Sequence, residues 1–502
     1  MNNHYLNIGD NFYICTVSMQ KDKNEKWSIA SDIKMLIKSQ EIKRVPSYAN
    51  TFFYSLGFYI ILCFLILVVT GITMVFFGIN WWNLNPTGVF IRSIHLWAAS
   101  AFAIFLFLHL FTVFATSGFR DTKKLVWVLG SIMLMLVIFQ MAFGLGIRGD
   151  LLSQFNDLSA ADLWNGLLLG NLINPLNMGA VFAWHTAIVP LLLVFLIFVH
   201  YSLVRAKGIS KPYRKEVIYK MIDFDHKKMF IRAGAIVVII IAFAIIWRAP
   251  YITPVTIQQV AQSDPNMIAS TLVQEFNHSS GTATYSPDLI SVDPYTFNTR
   301  QVYVLTPFEQ SLESNPSITN FTAIFDSENS TLQSNNINSA YVYFANNGTI
   351  NASNKTQNPL IGLFSQLTIM AKSGLYESSL MLQSSSPMDQ TYELRFLADS
   401  GAMNAAATAA GIELNQWGML KDTNGLWPVG PWWTFPYNFA DLTIFNNDPN
   451  QDFDTGLLAL MLVILFISFP FIPGLNKLPD KLGLYKLYWG KYIKKARGRS
   501  RK

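Results

Sequence analysis

Six long apolar segments constrain the fold of this 502-residue chain more than any other feature. They lie at about residues 52–78, 88–116, 124–147, 180–204, 230–248 and 455–473. A helix needs roughly 20 apolar residues to cross the hydrocarbon core of a bilayer, which is close to the length of each segment. Charged residues make up only 14% of the sequence, against roughly a quarter in an average soluble domain. The sequence therefore predicts an all-α transmembrane helical bundle of about six helices.

The distribution of Lys and Arg predicts how this bundle sits in the membrane. Residues 1–44 hold seven of them, residues 205–232 hold nine and the tail from residue 477 holds ten, whereas residues 79–91 hold none. Cytoplasmic connections carry the excess of positive charge in membrane proteins. We therefore expect a multi-pass plasma-membrane protein, surrounded by lipid, with both termini in the cytoplasm and the last connection outside.

That outer connection, residues 255–430, differs in composition from the rest of the chain. It holds 14 acidic but only five basic residues and is rich in Ser, Thr and Asn. Short alternating runs such as QVYVLTP and TYELRFL favour strands, so we expect a small β-rich extracytoplasmic domain inserted between the last two helices. A disordered polar stalk is the alternative. Six N-x-S/T sequons lie in this region and predict N-glycosylation at Asn277, Asn320, Asn329, Asn347, Asn351 and Asn354.

Composition divides the chain into six parts. These are a cytoplasmic N-terminal segment (1–50), a four-helix core (51–212), a cytoplasmic loop with the fifth helix (213–254), the insertion (255–430), a loop with the sixth helix (431–475) and a basic cytoplasmic tail (476–502). Within the first part, residues 27–43 place apolar side chains among lysines, which favours an amphipathic helix lying on the bilayer. A solvated leader helix is the alternative.

Four of the seven histidines lie within apolar segments. His95 and His109 are 14 residues apart on the second segment, and His185 and His200 are 15 apart on the fourth. Each spacing is close to four helical turns, so the two histidines of a segment share one face about 21 Å apart. The second and fourth helices run parallel, because one helix separates them. His95 therefore faces His185 near the outer surface, and His109 faces His200 near the inner surface.

Two matched imidazole pairs at two depths are typical of a protein that binds two haems. A single intramembrane histidine serves hydrogen bonding about as readily as ligation. Two neutral imidazoles can fill both axial positions of one haem iron. Zinc prefers about four ligands together, and each depth offers two imidazoles without a cysteine. The sequence has no C-x-x-C-H, so we expect non-covalent haems, of b type or modified.

Four glycines share the spacing of the histidines. Gly57 and Gly71 lie 14 residues apart on the first segment, as do Gly130 and Gly144 on the third. A porphyrin packed against a helix needs positions without a Cβ atom. Ordinary packing of small residues explains such glycines when they are taken alone. The spacing that they share with the histidines favours clearance for haem.

Several motifs within residues 45–212 resemble the cytochrome b family of quinol-oxidising bc-type complexes, especially the short form of photosynthetic b–f complexes. FIRSIHLWAASAFAIFLFLHLF is similar to the family's second helix, and SGFRDTKKLVWVLG to the turn that follows it. HTAIVPLLLVFLIFVHYSLVRAKGISKP follows the short form, including the 15-residue histidine spacing. In the second half, WRAPYITP and FPFIPGLNK resemble the family more loosely. The resemblance implies a four-helix di-haem core whose axial ligands are the four histidines.

The resemblance also implies roles for other residues. Arg92 would pair with a haem propionate, and a snorkelling interfacial arginine is the alternative. Arg205 would hold a propionate of the inner haem and Lys207 would serve an inner quinone, although both residues also suit simple membrane anchors. PWWTFP stands in place of the quinol-site motif Pro-Glu-Trp-Tyr, which implies an outer quinol site at Pro431, Trp432, Trp433 and Phe435.

Trp432 departs from the family pattern at a position that matters for the chemistry. The family has a glutamate there, and an indole cannot accept a quinol proton. Asp422 and Asp441 flank the motif and are candidate replacements, although each also suits a solvated loop acid. Ser55 stands in place of the cysteine that anchors an extra inner haem in the b–f form, so no third haem is expected.

The resemblance implies a di-haem cytochrome b subunit of a respiratory quinol:electron-acceptor oxidoreductase complex. Electrons would leave quinol, cross the membrane through two haems and reach a quinone, with a Rieske-type iron–sulfur protein or other high-potential redox subunit as partner. One alternative is a haem-bearing relay or structural subunit of a terminal quinol oxidase assembly, without electron bifurcation. A further alternative is a membrane-anchored glycosylated surface protein. We expect no nucleic-acid partner.

The outer region suggests the setting of the protein. A sequon-rich, acidic outer region on a prokaryote-like cytochrome b suggests an archaeal plasma membrane that faces acid. Exposed carboxylates would be largely neutral near pH 2–3, below their usual pKa of about 4. This setting is a hypothesis from composition.

Overall fold

The computed structural model describes residues 44–499 except 167–168, 171, 213–218, 285–296, 315–320, 352–357, 385, 387, 413–430 and 447–450. Helix dominates these residues. Two short strands, β1 (Arg44–Pro46) and β2 (Met221–Asp223), pair antiparallel. The amphipathic helix predicted at 27–43 lies outside the described residues.

Six helices in the described part of the chain are long and apolar enough to cross a membrane, which confirms the predicted bundle. They are α1 (Leu56–Phe77), α3 (Pro86–Ala115), α4 (Lys124–Gly146), the joined helices α6 (Met178–Ala183) and α7 (Val189–Lys207), α8 (His226–Ile246) and α20 (Gln451–Ser468). The short helix α2 (Ile79–Leu84) joins α1 to α3, and α5 (Leu151–Gly166) follows α4. Within the bundle, α1 packs along α3, and α4 packs along α7.

Local sequence signals set the ends of several helices. The Asn85 side chain accepts the backbone N–H groups of Thr87 and Gly88 at the start of α3, where Pro86 occupies the first turn. Asp225 caps α8 in the same way through the N–H of Lys228. After α1, Gly78 adopts a φ of +77°, which glycine reaches without a Cβ clash.

A π-helical turn at Trp184–Ile188 joins α6 to α7. Such a turn holds one residue more than an α-helical turn. The 15-residue spacing of His185 and His200 therefore has nearly the register of the 14-residue spacing in α3. In a regular α-helix the 15-residue spacing would leave the two histidines of this segment on one face but about 60° apart around the helix axis.

The two ends of the described chain meet on one side of the bundle, which we call the tail side. Tyr48 and Trp489 are almost fully buried there, and Trp489 Nε1 donates to the Tyr54 hydroxyl at 3.0 Å. The helices α21 (Leu478–Lys481) and α22 (Lys486–Arg499) and the strands β1 and β2 belong to this side. The described parts of the basic segments 205–232 and 477–499 thus lie on the same side of the bundle.

The inserted region packs at the opposite end of the bundle, which we call the insert side. Its described residues form α9 (Ile257–Ser263), α10 (Pro265–Phe276), α11 (Gly281–Thr284), α12 (Thr306–Ser314), α13 (Phe321–Asp326), α14 (Ser330–Ala345), α15 (Pro359–Lys372), α16 (Leu375–Gln383), α17 (Thr391–Asp399) and α18 (Ala402–Ala410). After it, α19 (Phe435–Thr443) leads to α20.

The structure contradicts the expected β-rich insertion, because its described residues are helical. QVYVLTP forms a π turn and the start of α12, and TYELRFL opens α17. In α17 the four consecutive residues Leu394 to Leu397 are all buried, so burial does not follow the alternation of a half-buried strand. A seven-residue run is too short for its alternation to exclude a helix, and burial against neighbouring helices decides the outcome.

Helix α5 connects the insertion to the bundle. Leu151 and Leu152 at its start belong to the apolar core of the insertion. The side chain of Gln154 makes two 2.9 Å hydrogen bonds with the backbone of Val255. Near the other end of α5, Trp164 stacks on Phe143 of α4. One helix is therefore shared by the two regions.

Candidate functional site

His95 and His185 face each other near the insert side of the bundle. Their ring centroids are 6.3 Å apart, with 59° between the ring planes. His95 Nδ1 lies 2.8 Å from Thr70 Oγ1 and His185 Nδ1 lies 2.9 Å from the carbonyl oxygen of Gln140. Thr70 already donates its hydroxyl hydrogen to the Ile66 carbonyl at 2.7 Å, so its oxygen accepts from His95. Both Nδ1 atoms are thereby donors, which leaves both Nε2 atoms free to bind a metal.

The separation of these two rings fits one iron between them. A metal–imidazole bond is about 2 Å long and the ring centroid lies about 1 Å behind the bonding nitrogen, so a shared metal needs centroids about 6 Å apart. The measured 6.3 Å agrees with that requirement. Two imidazoles on opposite sides of a metal leave its other positions for a planar ligand such as a porphyrin.

His109 and His200 form the second pair, nearer the tail side. The two rings are close enough to interact electrostatically. His200 Nδ1 is buried beside the carbonyl of Val126, but does not reach hydrogen-bond geometry with it. His200 is therefore held less tightly at Nδ1 than His95 and His185.

Three of the four predicted glycines lie directly against histidine rings. A Cβ atom at Gly144 would come within 2.7 Å of the His185 ring, and one at Gly71 would come within 3.4 Å of the His95 ring. At the second pair, a Cβ atom at Gly130 would lie 3.5 Å from the His200 ring. A Cβ atom at Gly57 would meet no heavy atom within 4 Å. These three glycines therefore let the histidine rings lie against the helix backbone. That the glycines clear space for a porphyrin stays a prediction.

The basic residues predicted at the site all have protein partners. Arg92, which is 7% exposed, donates to Asn83 Oδ1 and to the carbonyls of Ala249 and Pro250. Arg92 therefore holds the segment that follows α8 against α3. In the sequence, Arg92 lies three residues before His95. On the tail side, Lys207 donates to the carbonyl of Thr122. Arg205, two residues earlier in the sequence, is half-buried. Their propionate and quinone roles stay predictions.

The PWWTFP segment does not lie where we expected. The ring centroids of Trp432 and Phe107 are 6.0 Å apart, and Phe107 is two residues from His109 of the second pair. The structure therefore brings Trp432 toward the tail side rather than to the first pair. Pro431 is buried, Trp433 is half-buried and Phe435 is 38% exposed.

Of the two acids that flank this segment, Asp441 lies within the described residues. Asp441 accepts from Gln451 Nε2 at 2.9 Å and from Thr455 Oγ1 at 3.2 Å, so its carboxylate oxygens hold the start of α20. Asp422 lies outside the described residues.

Sequence reasoning missed two polar features of the first pair. Thr70 and Gln140 orient the imidazoles, and only their positions near Gly71 and Gly144 in sequence could have pointed to them. It also missed two buried acids on the insert side. Asp150 is fully buried and pairs with Arg148 at 2.7 Å, and Asp157 is 8% exposed.

The sequons are at the surface wherever the structure describes them. Asn277, Asn329, Asn347 and Asn351 are exposed, while Asn320 and Asn354 lie outside the described residues. Asn329 also caps α14, because its side-chain oxygen accepts the N–H of Leu332. Glycosylation stays a prediction.

Comparisons with known proteins agree with this geometry. A family model described as cytochrome b(N-terminal)/b6/petB matches residues 100–265. Cytochrome b6 of Cyanothece sp. is 28% identical over 203 residues, which covers 36% of this chain and 91% of that protein. Cytochrome b6 of Euglena gracilis is 30% identical over 207 residues, which covers 36% of this chain and 94% of that protein.

A solved structure of a hyperthermophilic respiratory Complex III is also similar, with 18% identity and a TM-score of 0.39 over 88% of this chain and 96% of that chain. This TM-score is too low to carry an argument. The sequence relatives do carry one, because nearly the whole length of a 30% identical cytochrome b6 is matched. The chain belongs to the cytochrome b/b6 family, and is a haem-binding membrane subunit of electron transport.

Proposed function

We propose that this chain is the di-haem cytochrome b subunit of a respiratory quinol-oxidising complex and that it moves electrons from quinol across the membrane. The observation that carries the proposal is the arrangement of four histidines as two pairs at two depths. In the first pair the ring separation of 6.3 Å suits a shared iron, and both Nδ1 atoms are held by hydrogen bonds.

His95 and His185 would hold one haem, and His109 and His200 the other. Gly71 and Gly144 would clear space at the first haem, and Gly57 and Gly130 at the second. A haem supplies one-electron redox chemistry, while the chain supplies axial ligands, orientation and an apolar surrounding. Arg92 and Arg205 would neutralise propionates, and Lys207 would bind a quinone on the tail side.

Quinol would bind on the insert side, where α4 ends and α5 begins. This part of the chain lies beside the first histidine pair, through Gly144 and His185. We assign the insert side to the outside of a plasma membrane and the tail side to the cytoplasm, because the described parts of the basic segments 205–232 and 477–499 lie on the tail side. Protons would then leave quinol outside.

The high-potential acceptor would be a separate subunit. The described residues hold no cysteine set that could ligate an iron–sulfur cluster. A Rieske-type iron–sulfur protein or another high-potential redox subunit would therefore complete the complex. The exposed sequon asparagines support a glycosylated outer surface, and we retain an archaeal, acid-facing membrane as its setting.

One observation favours a second function, a relay subunit within a terminal quinol oxidase assembly. Trp432 lies beside Phe107 rather than at the first pair, and an indole cannot accept a quinol proton. Such a subunit would bind both haems but would not send the two electrons of quinol along separate routes.

The test uses the complex purified from membranes, with extracted haem counted per chain and a reduced-minus-oxidised spectrum recorded. We expect two haems, and quinol should reduce haem only when a high-potential one-electron acceptor is also present. As a control, the variant His226→Gln should keep the haem content of the wild type, because His226 is exposed at the start of α8 and packs against Phe224. Absence of haem would refute both functions, and transfer of both electrons by one route would favour the relay.

A further inference from the structure

A cleft of about 780 Å³ opens on the tail side, between the start of α4 and the turn that follows α20. Lys124, the first residue of α4, borders it on one side, and Pro470 and Lys477 border it on the other. A hydrogen bond joins the two walls, because Trp127 Nε1 donates to the carbonyl of Phe466 at 3.0 Å. Both walls are ends of membrane-spanning helices, so the cleft belongs at the level of the polar headgroups of a bilayer.

This tail-side cleft carries an excess of positive charge. One acid, Asp480, and four cations line it, namely Arg120, Lys124, Lys477 and Lys481. Asp480 pairs with Arg120 and accepts the hydroxyl group of Ser117 at 3.0 Å. The three lysines form no ion pair with an acid in the described part of the chain. Three ammonium groups at one cleft therefore suit an anion, and a phosphate group above all.

Asn476 adds a hydrogen-bond acceptor to the lining of the cleft. Its Nδ2 atom donates to the carbonyl of Pro470 at 3.5 Å, whereas its Oδ1 atom is buried and receives no hydrogen bond from the described residues. A buried acceptor without a donor costs free energy, so a ligand hydroxyl group at this position would stabilise it. A phosphate diester that carries hydroxyl groups, such as glycerol phosphate, matches both the lysines and this oxygen.

The helices that border the cleft expose apolar side chains. Phe471, the residue after Pro470, is 54% exposed, and Lys124 Nζ lies 4.9 Å from the centroid of its ring. Leu465 of α20 and Leu125 of α4 are exposed as well. The acyl chains of a lipid can cover such side chains, whereas inorganic phosphate cannot. The combination of lysines and apolar surface therefore favours a lipid headgroup over a free anion.

We propose that the tail-side cleft binds the phosphate group of an anionic membrane lipid with a glycerol headgroup. Lys124, Lys477 and Lys481 contact the phosphate group, and Asn476 Oδ1 accepts a hydroxyl group of the glycerol. The bound lipid thereby holds the end of α20 against the start of α4. Basic pockets between membrane helices bind anionic headgroups in this way. The site uses neither histidine pair, so it goes beyond the proposed function and does not depend on it.

The experiment measures lipid binding to the purified complex in a neutral detergent, by native mass spectrometry. Dioleoyl phosphatidylglycerol is the probe, and dioleoyl phosphatidylcholine and inorganic phosphate are the comparison ligands. We expect the first phosphatidylglycerol molecule to bind the wild type at least roughly tenfold more tightly than phosphatidylcholine, because of the lysines. The double variant Lys477→Gln/Lys481→Gln should bind phosphatidylglycerol roughly 25-fold more weakly, since one lysine near an anionic group contributes about fivefold.

Two further variants separate the cleft from the general charge of the tail side. Lys124→Gln, in the opposite wall, should weaken binding by about fivefold for the same reason. Lys486→Gln/Lys491→Gln removes two exposed lysines of α22 that do not line the cleft, and it should bind phosphatidylglycerol like the wild type.

Three results would overturn the proposal. The first is equal affinity for phosphatidylglycerol in the wild type and in Lys477→Gln/Lys481→Gln. The second is an equal loss in Lys486→Gln/Lys491→Gln, which would indicate attraction to the charged surface as a whole. The third is displacement of phosphatidylglycerol by millimolar inorganic phosphate, which would assign the cleft to a free anion. None of these results bears on haem or quinol, so the di-haem function is tested separately.

Discussion

The bundle and the insertion both bury ionisable side chains, but the bundle buries imidazoles and the insertion buries carboxyl groups. The bundle buries imidazoles whose Nδ1 atoms are held by hydrogen bonds and whose ring centroids are 6.3 Å apart, as at His95 and His185. The insertion buries carboxyl groups that face each other, as at Glu275 and Asp399. In the proposed function a haem iron would complete the first arrangement, whereas a proton would complete the second. Burial of a polar group therefore indicates function only once its missing partner is identified.

The carboxyl pair of the insertion shows how the proton acts. Glu275 is fully buried, and Ser280 Oγ donates to its Oε2 at 2.7 Å, while Asp399 Oδ1 accepts the N–H of Thr282 at 3.0 Å. The other oxygens, Glu275 Oε1 and Asp399 Oδ2, lack a donor from any other group. One shared proton satisfies both, because a protonated carboxyl group is a donor.

The largest expected effect is the loss of one haem when a ligand is removed. His185→Ala should lose the haem of the first pair and His200→Ala that of the second, because a single imidazole leaves one axial position unfilled. Each variant should therefore retain about one of two haems by pigment extraction. His278→Gln, a change on the insertion, is the control. Equal haem content in all three variants would show that the bundle histidines bind haem no more than a histidine of the insertion does.

A bulkier residue at Gly144 should have the next largest effect. A Cβ atom there would come within 2.7 Å of the His185 ring, so Gly144→Val must displace the ring or the helix. We expect at least half of the first-pair haem to be lost, with the second pair unaffected, as measured by haem content and redox titration. Gly234→Val on α8, where a Cβ atom meets nothing within 4 Å, is the matched control. Full occupancy in Gly144→Val would contradict the packing described here.

Rising pH should destabilise the insertion before the bundle. Burial, together with the hydrogen bond and charge of Asp399, raises the pKa of Glu275 to about 9. Because this folded-state pKa lies above the unfolded value, the stabilisation is complete below about pH 4.5 and is lost as the pH rises toward 9. The loss is on the order of 5 kcal/mol at pH 8, since pH 8 lies about 3.5 units above the unfolded pKa and one unit corresponds to about 1.4 kcal/mol.

Hydrogen exchange of α10 and α17 in the full-length protein measures this effect. Protection should fall between pH 5 and 8 in the wild type, whereas Glu275→Gln should make it nearly independent of pH. Asp326→Asn, a change at an exposed carboxylate, should follow the wild type. Protection that increases with pH in the wild type would show that the pair is not protonated when folded.

The smallest expected effect concerns the groups that hold Nδ1. Thr70→Val removes the acceptor of His95 Nδ1 and should weaken the first-pair haem by roughly 10–100-fold, as is typical when a partner of a metal-bound histidine is lost. Thr73→Val is the control, because Thr73 lies one turn away and donates only to the Val69 carbonyl. Haem dissociation and the midpoint potential of the first pair provide the measurements. A change of equal size at the second pair would contradict the assignment of Thr70.

The sequence predicted the bundle well, because twenty-residue apolar segments and histidine spacing report directly on membrane helices and on helix faces. It did not predict the π turn that brings His185 into register, since no residue type within WHTAI specifies such a turn. It failed on the fold of the insertion, where short runs such as TYELRFL suit either period until tertiary contacts select one. Asp157 escaped notice because its burial depends on contact between α5 and α4, which are adjacent elements whose packing angle the sequence does not reveal.

Electron paramagnetic resonance of the oxidised purified complex, with a redox titration of the same sample, tests the central claim most directly. Two imidazoles on each iron predict two low-spin signals and two one-electron waves, one lost in His185→Ala and the other in His200→Ala. A single haem, or a high-spin iron with an open axial position in the wild type, would contradict the assignment of two bis-histidine sites.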